Sequence, residues 1–336
     1  MKKCIAVLLV LALALSLCSA TALAEEKLVL ITATSSDNLD VIIPAFEAAT
    51  GIQVEVITAK TGEVYSRIQT ETDNPSTDIT WINASYVFSD TSYFTPYVSV
   101  HNDELPETFR TADGYINYTN FTLPVILVNK NLVDIDIKGY KDLLDPSLYG
   151  KIAHGDAASS SSAYNHLENM LYAMGDGDMF ADAGWTYVEA FLKQLDNKII
   201  NSSATVYKGV ESGEYAVGMT WDTPCLAYLA QGIDYLEMVV MEEGALCSPS
   251  GVAIVKNCKH EDWAKQFVDF MTSKECQTLM GTEIPGANPI RTDVELASYK
   301  TSLNDMNAVL VDSQASSANK PAVLEKYQDL YLEIFE

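Results

Sequence analysis

The stretch LVLITATSSDNLDVIIPAFEAATGIQVEVIT, residues 28–58, decides the fold. It begins with four apolar residues and a polar turn, which is typical of a short buried strand and its exit. Apolar residues then recur at helical spacing, at Leu39, Ile42, Ile43 and Phe46. Gly51 ends that helix, and apolar β-branched residues alternate from 52 to 57 as in a strand. A strand, a helix and a strand in succession predict an α/β fold with a parallel sheet covered by helices.

The same alternation continues along the chain and forms two units. Further apolar strands are indicated at 79–82, 150–153, 215–221 and 251–255. The extended apolar run 121–128 is expected to cross between the units. Because 336 residues exceed the usual size of one core, we predict two lobes. The expected boundaries are 25–122 for the first part of lobe 1, 123–247 for lobe 2, 248–300 for the return to lobe 1, and 301–336 for C-terminal helices packed on the outside of the lobes.

The N-terminus has the three parts of a secretory signal peptide. Positions 2 and 3 are lysines, residues 5–17 are nearly all apolar, and residues 22–24 form a small-x-small cleavage site. The apolar run is shorter than the ~20 residues that a membrane-spanning helix needs. We therefore expect cleavage after residue 24 and an exported protein, in the periplasm or at the cell surface. Cys18 leaves lipid anchoring open as an alternative.

The net charge is strongly negative, at −25, with 46 acidic and 21 basic side chains. Such a surface disfavours nucleic acid and anionic lipid as partners. An anionic small molecule is still compatible with it, because salt screens charges beyond ~8 Å and local hydrogen-bond donors then decide.

Four cysteines lie beyond the predicted signal, at Cys225, Cys247, Cys258 and Cys276. An even number in an exported protein permits two disulfides in three pairings, and buried free thiols fit equally well. No CxxC motif is present, so neither a redox motif nor a zinc motif is indicated.

Polar turns recur where predicted strands end and helices begin. In open α/β sheets, ligands bind outside the carboxyl ends of the strands. A helix N-terminus there offers free N–H groups and a partial positive charge, which favour a carboxylate or a phosphate. Helix capping alone also explains a single Ser or Thr, but a run of four serines exceeds what one cap needs. The candidate ligand-binding residues of these turns are Thr34, Ser35, Ser36, Thr61, Ser159, Ser160, Ser161, Ser162, Ser202 and Ser203.

Three further side chains are candidates for the same cleft. Asp222 ends a predicted strand and precedes a helix, so it either caps that helix or binds ligand hydroxyls or an amine. Glu243 follows an apolar run and is either a surface-turn residue or a ligand contact. Trp81 is a candidate cleft residue or a core residue.

Enzyme motifs are missing from the sequence. It contains no GxSxG, HExxH, Walker A or GxGxxG motif, and its four histidines show no metal-ligand spacing. We therefore predict a non-catalytic protein with no cofactor and no metal site. His154 lies near the serine run, so a secreted hydrolase using Ser and His is kept as a remote alternative.

Several segments together resemble the bacterial extracellular solute-binding proteins that serve ABC transporters. The closest branch holds the binders of ferric iron, phosphonates and sugar phosphates. The matching segments are FEAATGIQV at 46–54, GKIA at 150–153 with Asp156 and the following serines, VESGE at 210–214, VGMTW at 217–221 and GVAIVK at 251–256. The resemblance implies the type II periplasmic-binding-protein fold, with two α/β lobes joined by crossover strands and a ligand cleft between them.

The resemblance also bears on the ligand and partners. Ferric binders of this branch use adjacent tyrosines after the strand at 217–221, where this chain has Asp222-Thr223-Pro224 and no Tyr-Tyr pair anywhere. The phosphate-bearing branch therefore fits better, with Asp156 among the ligand-binding residues. We expect a monomer that delivers a phosphorylated sugar or an organophosphonate to a permease. A ferric complex, held through its chelating anion, is the alternative.

Overall fold

The structure is a computed structural model that describes residues 26–335, apart from the side chains of residues 313 and 314. The predicted signal peptide and Cys18 lie outside the described residues. The strands, in chain order, are β1 (Leu28–Thr32), β2 (Val54–Thr58), β3 (Ile79–Asn83), β4 (Phe94–Thr95), β5 (Asn117–Thr122), β6 (Pro124–Asn129), β7 (Ile152–Gly155), β8 (Ile199–Ile200), β9 (Val217–Trp221), β10 (Leu236–Val239), β11 (Ala245–Val255), β12 (Asn288–Pro289) and β13 (Ala308–Leu310).

Ten α-helices lie between and after these strands in the described residues. They are α1 (Ser36–Thr50), α2 (Thr61–Thr70), α3 (Ala84–Ser89), α4 (Ser161–Met174), α5 (Asp182–Gln194), α6 (Ser203–Glu211), α7 (Asp222–Ala230), α8 (Glu261–Thr272), α9 (Lys274–Thr282) and α10 (Ser313–Phe335). Gly51 closes α1 as the sequence predicts, with φ at 73° and its N–H bonded to the Glu47 carbonyl. None of these helices is long and apolar enough to span a membrane.

The first sheet has the order β12-β5-β11-β3-β1-β2, with β4 and β13 also paired to β11. Strands β1, β2 and β3 are parallel, which confirms the reading of the opening stretch. Strand β11 is antiparallel to β3 and β5, so the sheet is mixed rather than wholly parallel. The antiparallel strands are those through which the chain leaves this sheet and returns to it.

The second sheet has the order β10-β6-β9-β7-β8. Strands β7, β8 and β9 are parallel, and β6 runs antiparallel to β9 and β10. The chain enters this sheet through Leu123, between β5 and β6, and leaves it between β10 and β11. The α/β class and the two-sheet architecture expected from the sequence are therefore present.

Helix α10 differs from the sequence expectation. Within the C-terminal segment 301–336, apolar spacing predicts a last helix near 322–335 on the outside of the lobes, whereas α10 has 23 residues and begins at Ser313. Its Val323 and Tyr327 are buried in the core of the second sheet, while its other contacts include α3, which follows β3 of the first sheet. The first turns are polar, which hides them from a search for apolar periodicity.

All four described cysteines are free thiols, and Cys225, Cys247 and Cys276 are buried. Burial raises the pKa of Cys247 to about 12. The sequence left disulfides and buried free thiols as alternatives, and the structure contains free thiols.

Candidate ligand-binding cleft

Two adjoining cavities form a groove between the sheets. Their volumes are about 950 and 520 Å³, within the usual range for small-molecule sites. The cavities are continuous, since both are lined by Thr122, Ser161, Ser162, Asn165 and Trp221. Thr122 belongs to the crossover from the first sheet, and Trp221 ends β9.

The smaller cavity is lined almost wholly by hydroxyls and amides, and we call it the serine end of the groove. Strands β7 and β8 pair in parallel with Gly155 opposite Ile200, so the turns that follow them meet at one edge. These turns lead into the N-termini of α4 and α6. The residues that line the serine end are Thr122, Ser159, Ser160, Ser161, Ser162, Asn165, Asn201, Ser202, Ser203 and Trp221.

Some serines of this end have a structural role and others are free. The Ser160 hydroxyl caps α4 by accepting a bond from the Ala163 N–H at 3.4 Å. Ser202 occupies the N-cap position of α6 but makes no side-chain cap bond. Asp156 lines neither cavity. Its carboxylate stabilises the turn before α4 by accepting bonds from the Ala158 N–H and the Ser159 hydroxyl, both at 2.9 Å.

The corresponding turns of the first sheet lie outside both cavities. Thr34, Ser35 and Ser36 follow β1, and Thr61 begins α2 after β2. Ser35 and Ser36 are exposed, and the Thr34 hydroxyl accepts a bond from Asn38 Nδ2 at 3.0 Å. The first sheet instead reaches the larger cavity through Tyr65, Asn83, Ser85, Tyr86, Phe88 and Ser89, of which the sequence reading missed Asn83, Ser85, Phe88 and Ser89.

Trp81, Asp222 and Glu243, which the sequence also suggested, are directed elsewhere. The Trp81 side chain is 1% exposed and donates from Nε1 to Asn120 Oδ1 at 3.0 Å. Glu243 accepts bonds from the backbone N–H groups of residues 140 and 141, at 3.1 and 3.0 Å. The two N–H groups hold the Glu243 carboxylate outside the groove, and Glu243 lines neither cavity.

Asp222 is buried at the crossover between the sheets. Its carboxylate accepts bonds from the N–H groups of Leu123, at 3.2 Å, and Thr223, at 2.8 Å, and from the Asn288 amide. Burial raises the pKa of Asp222 to about 7, and the three hydrogen bonds act against that rise. The residue joins β9, β12 and the crossover, and it does not line the groove.

His154, the base of the alternative Ser/His hydrolase, does not reach the groove. His154 is 1% exposed, packs edge-on against Phe191 and lines neither cavity. Burial lowers its pKa to about 3. No group of three or more His, Cys, Asp or Glu side chains within residues 26–335 is placed to hold a metal ion.

The larger cavity contains the only two charged side chains that line the groove in the described chain. Glu168, on α4, is 5% exposed, and burial raises its pKa against a hydrogen bond from Ser316 and the charge of Lys320. Ser316, Ser317 and Lys320 come from the first turns of α10. Lys320 Nζ lies 4.2 Å from the centroid of the Tyr164 ring. No sequence signal connects α10 with α4, because they lie far apart in the chain.

The family follows from a match over most of the chain. Residues 42–307 match the model of a bacterial extracellular solute-binding protein family. The chain belongs to this family of bacterial extracellular solute-binding proteins. Its members bind small molecules outside the cytoplasm and deliver them to ABC permeases. This confirms the resemblance on which the expected fold and transport role rested.

Individual relatives of this solute-binding protein carry different names. Iron uptake protein A1 of Synechocystis is 24% identical over 252 residues, which cover 70% of this chain and 68% of the relative. A Salmonella typhimurium periplasmic protein named for 2-aminoethylphosphonate binding is 24% identical over 274 residues, with 74% and 73% covered. The periplasmic binding protein AfuA of Actinobacillus pleuropneumoniae, solved with fructose-6-phosphate, has a TM-score of 0.68 at 22% identity, with 91% and 98% covered. The AfuA likeness shows the shared fold.

Proposed function

We propose that this solute-binding protein captures a small anionic solute, a phosphorylated sugar or an organophosphonate, for an ABC importer. The observation that carries the proposal is the serine end of the groove. There, parallel pairing of β7 and β8 brings two hydroxyl-rich turns and two helix N-termini together. Such a place provides backbone N–H donors, hydroxyl donors and the positive ends of two helix dipoles.

The hydroxyls suit a phosphate or phosphonate group in particular. Hydrogen bonds to a charged acceptor are about twice as strong as those between neutral groups, and an anion with three oxygens can accept several at once. The Ser202 hydroxyl makes no cap bond, so it is free to donate to a ligand. Lys320 is the only cation that lines the groove in the described residues, so the anion would be held mainly by neutral donors.

Capture would proceed by closure of two lobes around the groove. We propose that the lobes divide near residues 122 and 247, close to the two passages of the chain between the sheets, at Leu123 and between β10 and β11. We also predict that a ligand contacts four residues of the first sheet's turns. These contacts require closure of the lobes, because Thr34, Ser35, Ser36 and Thr61 line neither cavity. Residues 34–36 follow β1, the neighbour of β3, and the last residue of β3, Asn83, already lines the larger cavity.

A thermal-shift panel tests the proposal. The panel consists of fructose-6-phosphate, 2-aminoethylphosphonate, inorganic phosphate and ferric citrate. A ligand present at 100 times its Kd stabilises the folded state by about 2.7 kcal/mol, which raises Tm by several degrees. A rise with at least one phosphorus compound is the expected result, and no rise with any of them rejects this substrate class.

A ferric complex is the second candidate, favoured by the relative named for iron uptake. In that case the iron would arrive with a chelating anion, and the serine end would hold the anion. Visible absorption of the protein after addition of ferric citrate and removal of the excess supports this candidate, and a colourless protein excludes it.

A further inference from the structure

The end of the groove opposite the serines has its own chemistry. We call it the acidic end and define it by Tyr164, Glu168, Thr220, Ser316 and Lys320, all of which line the larger cavity. Glu168 is almost fully buried, yet no cation lies within 4 Å of its carboxylate among the described ion pairs. A buried carboxylate that lines a cavity without a close ion-pair partner is suited to an incoming cation.

Two buried oxygens of the acidic end have no hydrogen-bond partner in the described chain. They are Tyr164 Oη and Thr220 Oγ1, and the two residues are 3% and 0% exposed. Native structures rarely leave a buried hydroxyl unpaired, so each such group calls for an explanation. A ligand group bound in the adjoining cavity would be the missing hydrogen-bond partner. The unpaired hydroxyls are independent of the charge argument from Glu168.

The protein's own ammonium group already lies at this end. Lys320 is an exposed residue, and its Nζ lies over the face of the Tyr164 ring, 4.2 Å from the centroid. That arrangement is a cation–π contact, and the lysine charge also counteracts the raised pKa of Glu168. The acidic end therefore accepts a primary ammonium.

We propose that the acidic end takes the ammonium group of a zwitterionic ligand, and that Lys320 is a resident occupant which this ammonium displaces. The inference rests on the proposed function, because the anion of the same ligand would bind at the serine end. It assigns the amine-binding role to Glu168 instead of Asp222. A sugar phosphate carries no cation for this end, so the inference favours an aminoalkylphosphonate within the proposed class.

Helix α4 sets the length of such a ligand. Ser161, Asn165 and Glu168 are spaced i, i+4 and i+7, so they lie on one face of the helix, and all three line the groove. Seven residues at 1.5 Å each separate Ser161 from Glu168 by about 10 Å along the axis. A spacing of this size suits a short ligand, such as an aminoalkylphosphonate with a few carbon atoms between phosphorus and nitrogen.

Calorimetric titration with two matched probes tests the inference. 2-Aminoethylphosphonate carries the ammonium, and ethylphosphonate is the same molecule without it. We expect the unmodified protein to bind 2-aminoethylphosphonate at least 10-fold more tightly. Glu168→Gln should reduce that ratio to below about 2, because a neutral amide keeps the shape and removes the charge, while the affinity for ethylphosphonate stays the same. Unchanged thermal unfolding of the variant shows that it is folded.

Lys320→Met provides the second, independent measurement. If Lys320 competes with the ligand, its removal raises the affinity for 2-aminoethylphosphonate several-fold and leaves that for ethylphosphonate unchanged. Lys326 is the matched control, since it lies on the same helix, 4.6 Å from the Trp185 ring, and does not line the groove. Lys326→Met should change neither affinity.

The possible outcomes separate this inference from the proposed function. Equal binding of the two probes, or weaker binding of both after Lys320→Met, overturns the amine site and leaves phosphorus binding intact. Binding of fructose-6-phosphate without binding of 2-aminoethylphosphonate does the same. Failure of both probes, fructose-6-phosphate and inorganic phosphate to bind rejects the proposed function itself.

Discussion

The two sheets expose hydroxyl-rich turns at equivalent edges, but only one set lines the groove. In the second sheet, β7 and β8 end side by side, and the turns at Ser159 and Ser202 lie at the same cavity. In the first sheet, β1 and β2 also pair in parallel, yet the turns at Ser35 and Thr61 lie outside both cavities. A polar turn at a strand end is therefore not sufficient to place a hydroxyl in the groove. Whether a turn lines the groove depends on its position relative to the opposite sheet.

The largest expected effect is a loss of affinity from the second-sheet turns. Removing two hydroxyls by Ser161→Ala/Ser202→Ala should weaken binding of the phosphorus ligand identified by the thermal panel by at least about 100-fold, because each hydrogen bond to a charged group contributes about 1.5–3 kcal/mol. Calorimetry measures the change. The matched first-sheet variant, Ser35→Ala/Ser36→Ala, should weaken binding less than about 3-fold. Equal losses would show that closure brings both edges to the ligand and would remove the difference between them.

The second effect concerns the acid that the sequence suggested for the cleft. The raised pKa of Asp222, about 7, means that the folded state holds a proton that the unfolded chain releases near pH 4. Its contribution to stability is therefore full below about pH 4 and is lost as the pH rises to about 7. The Asp222→Asn variant should lack this decline. Urea unfolding at pH 5, 6, 7 and 8 measures it, and an identical pH slope in both proteins contradicts the assignment.

A smaller effect separates two serines of the same end. Ser160 caps α4, so Ser160→Ala should lower the free energy of unfolding by about 1 kcal/mol. Ser202 makes no side-chain cap bond, so Ser202→Ala should lower it by less than about 0.5 kcal/mol while still weakening ligand binding. Denaturant unfolding of the free protein compares them. A larger loss of stability at Ser202 would mean that its hydroxyl has a structural role.

Local pattern was enough for the parts of the fold that depend on neighbouring residues. The spacing of residues 28–58 and the αL glycine at Gly51 predict β1, α1 and β2, and the run of four serines predicts the serine end. At the end of β9, however, the sequence reading chose Asp222, whereas the structure places Trp221 in the groove and buries Asp222. Trp221 is the last residue of β9 and Asp222 is the first of α7, so an error of one residue moves the assignment from the strand to the helix.

The acidic end was beyond the reach of local pattern. Glu168 looks like any charged residue of an amphipathic helix, and residues 313–320 have no apolar periodicity. Only the tertiary contacts of α10 with α3 and α5 bring Ser316 and Lys320 beside α4. Sequence separation of this size leaves no local signal.

The position of α10 has a consequence for the order in which the protein is made. Ser316, Ser317 and Lys320 follow every described strand in the chain, and the next residues anchor the helix through Val323 and Tyr327. A nascent chain that stops before Ser313 lacks one wall of the groove, although every strand of both sheets is already present. The groove is therefore completed only after the strands of both sheets have been synthesised, and ligand capture has to wait for α10.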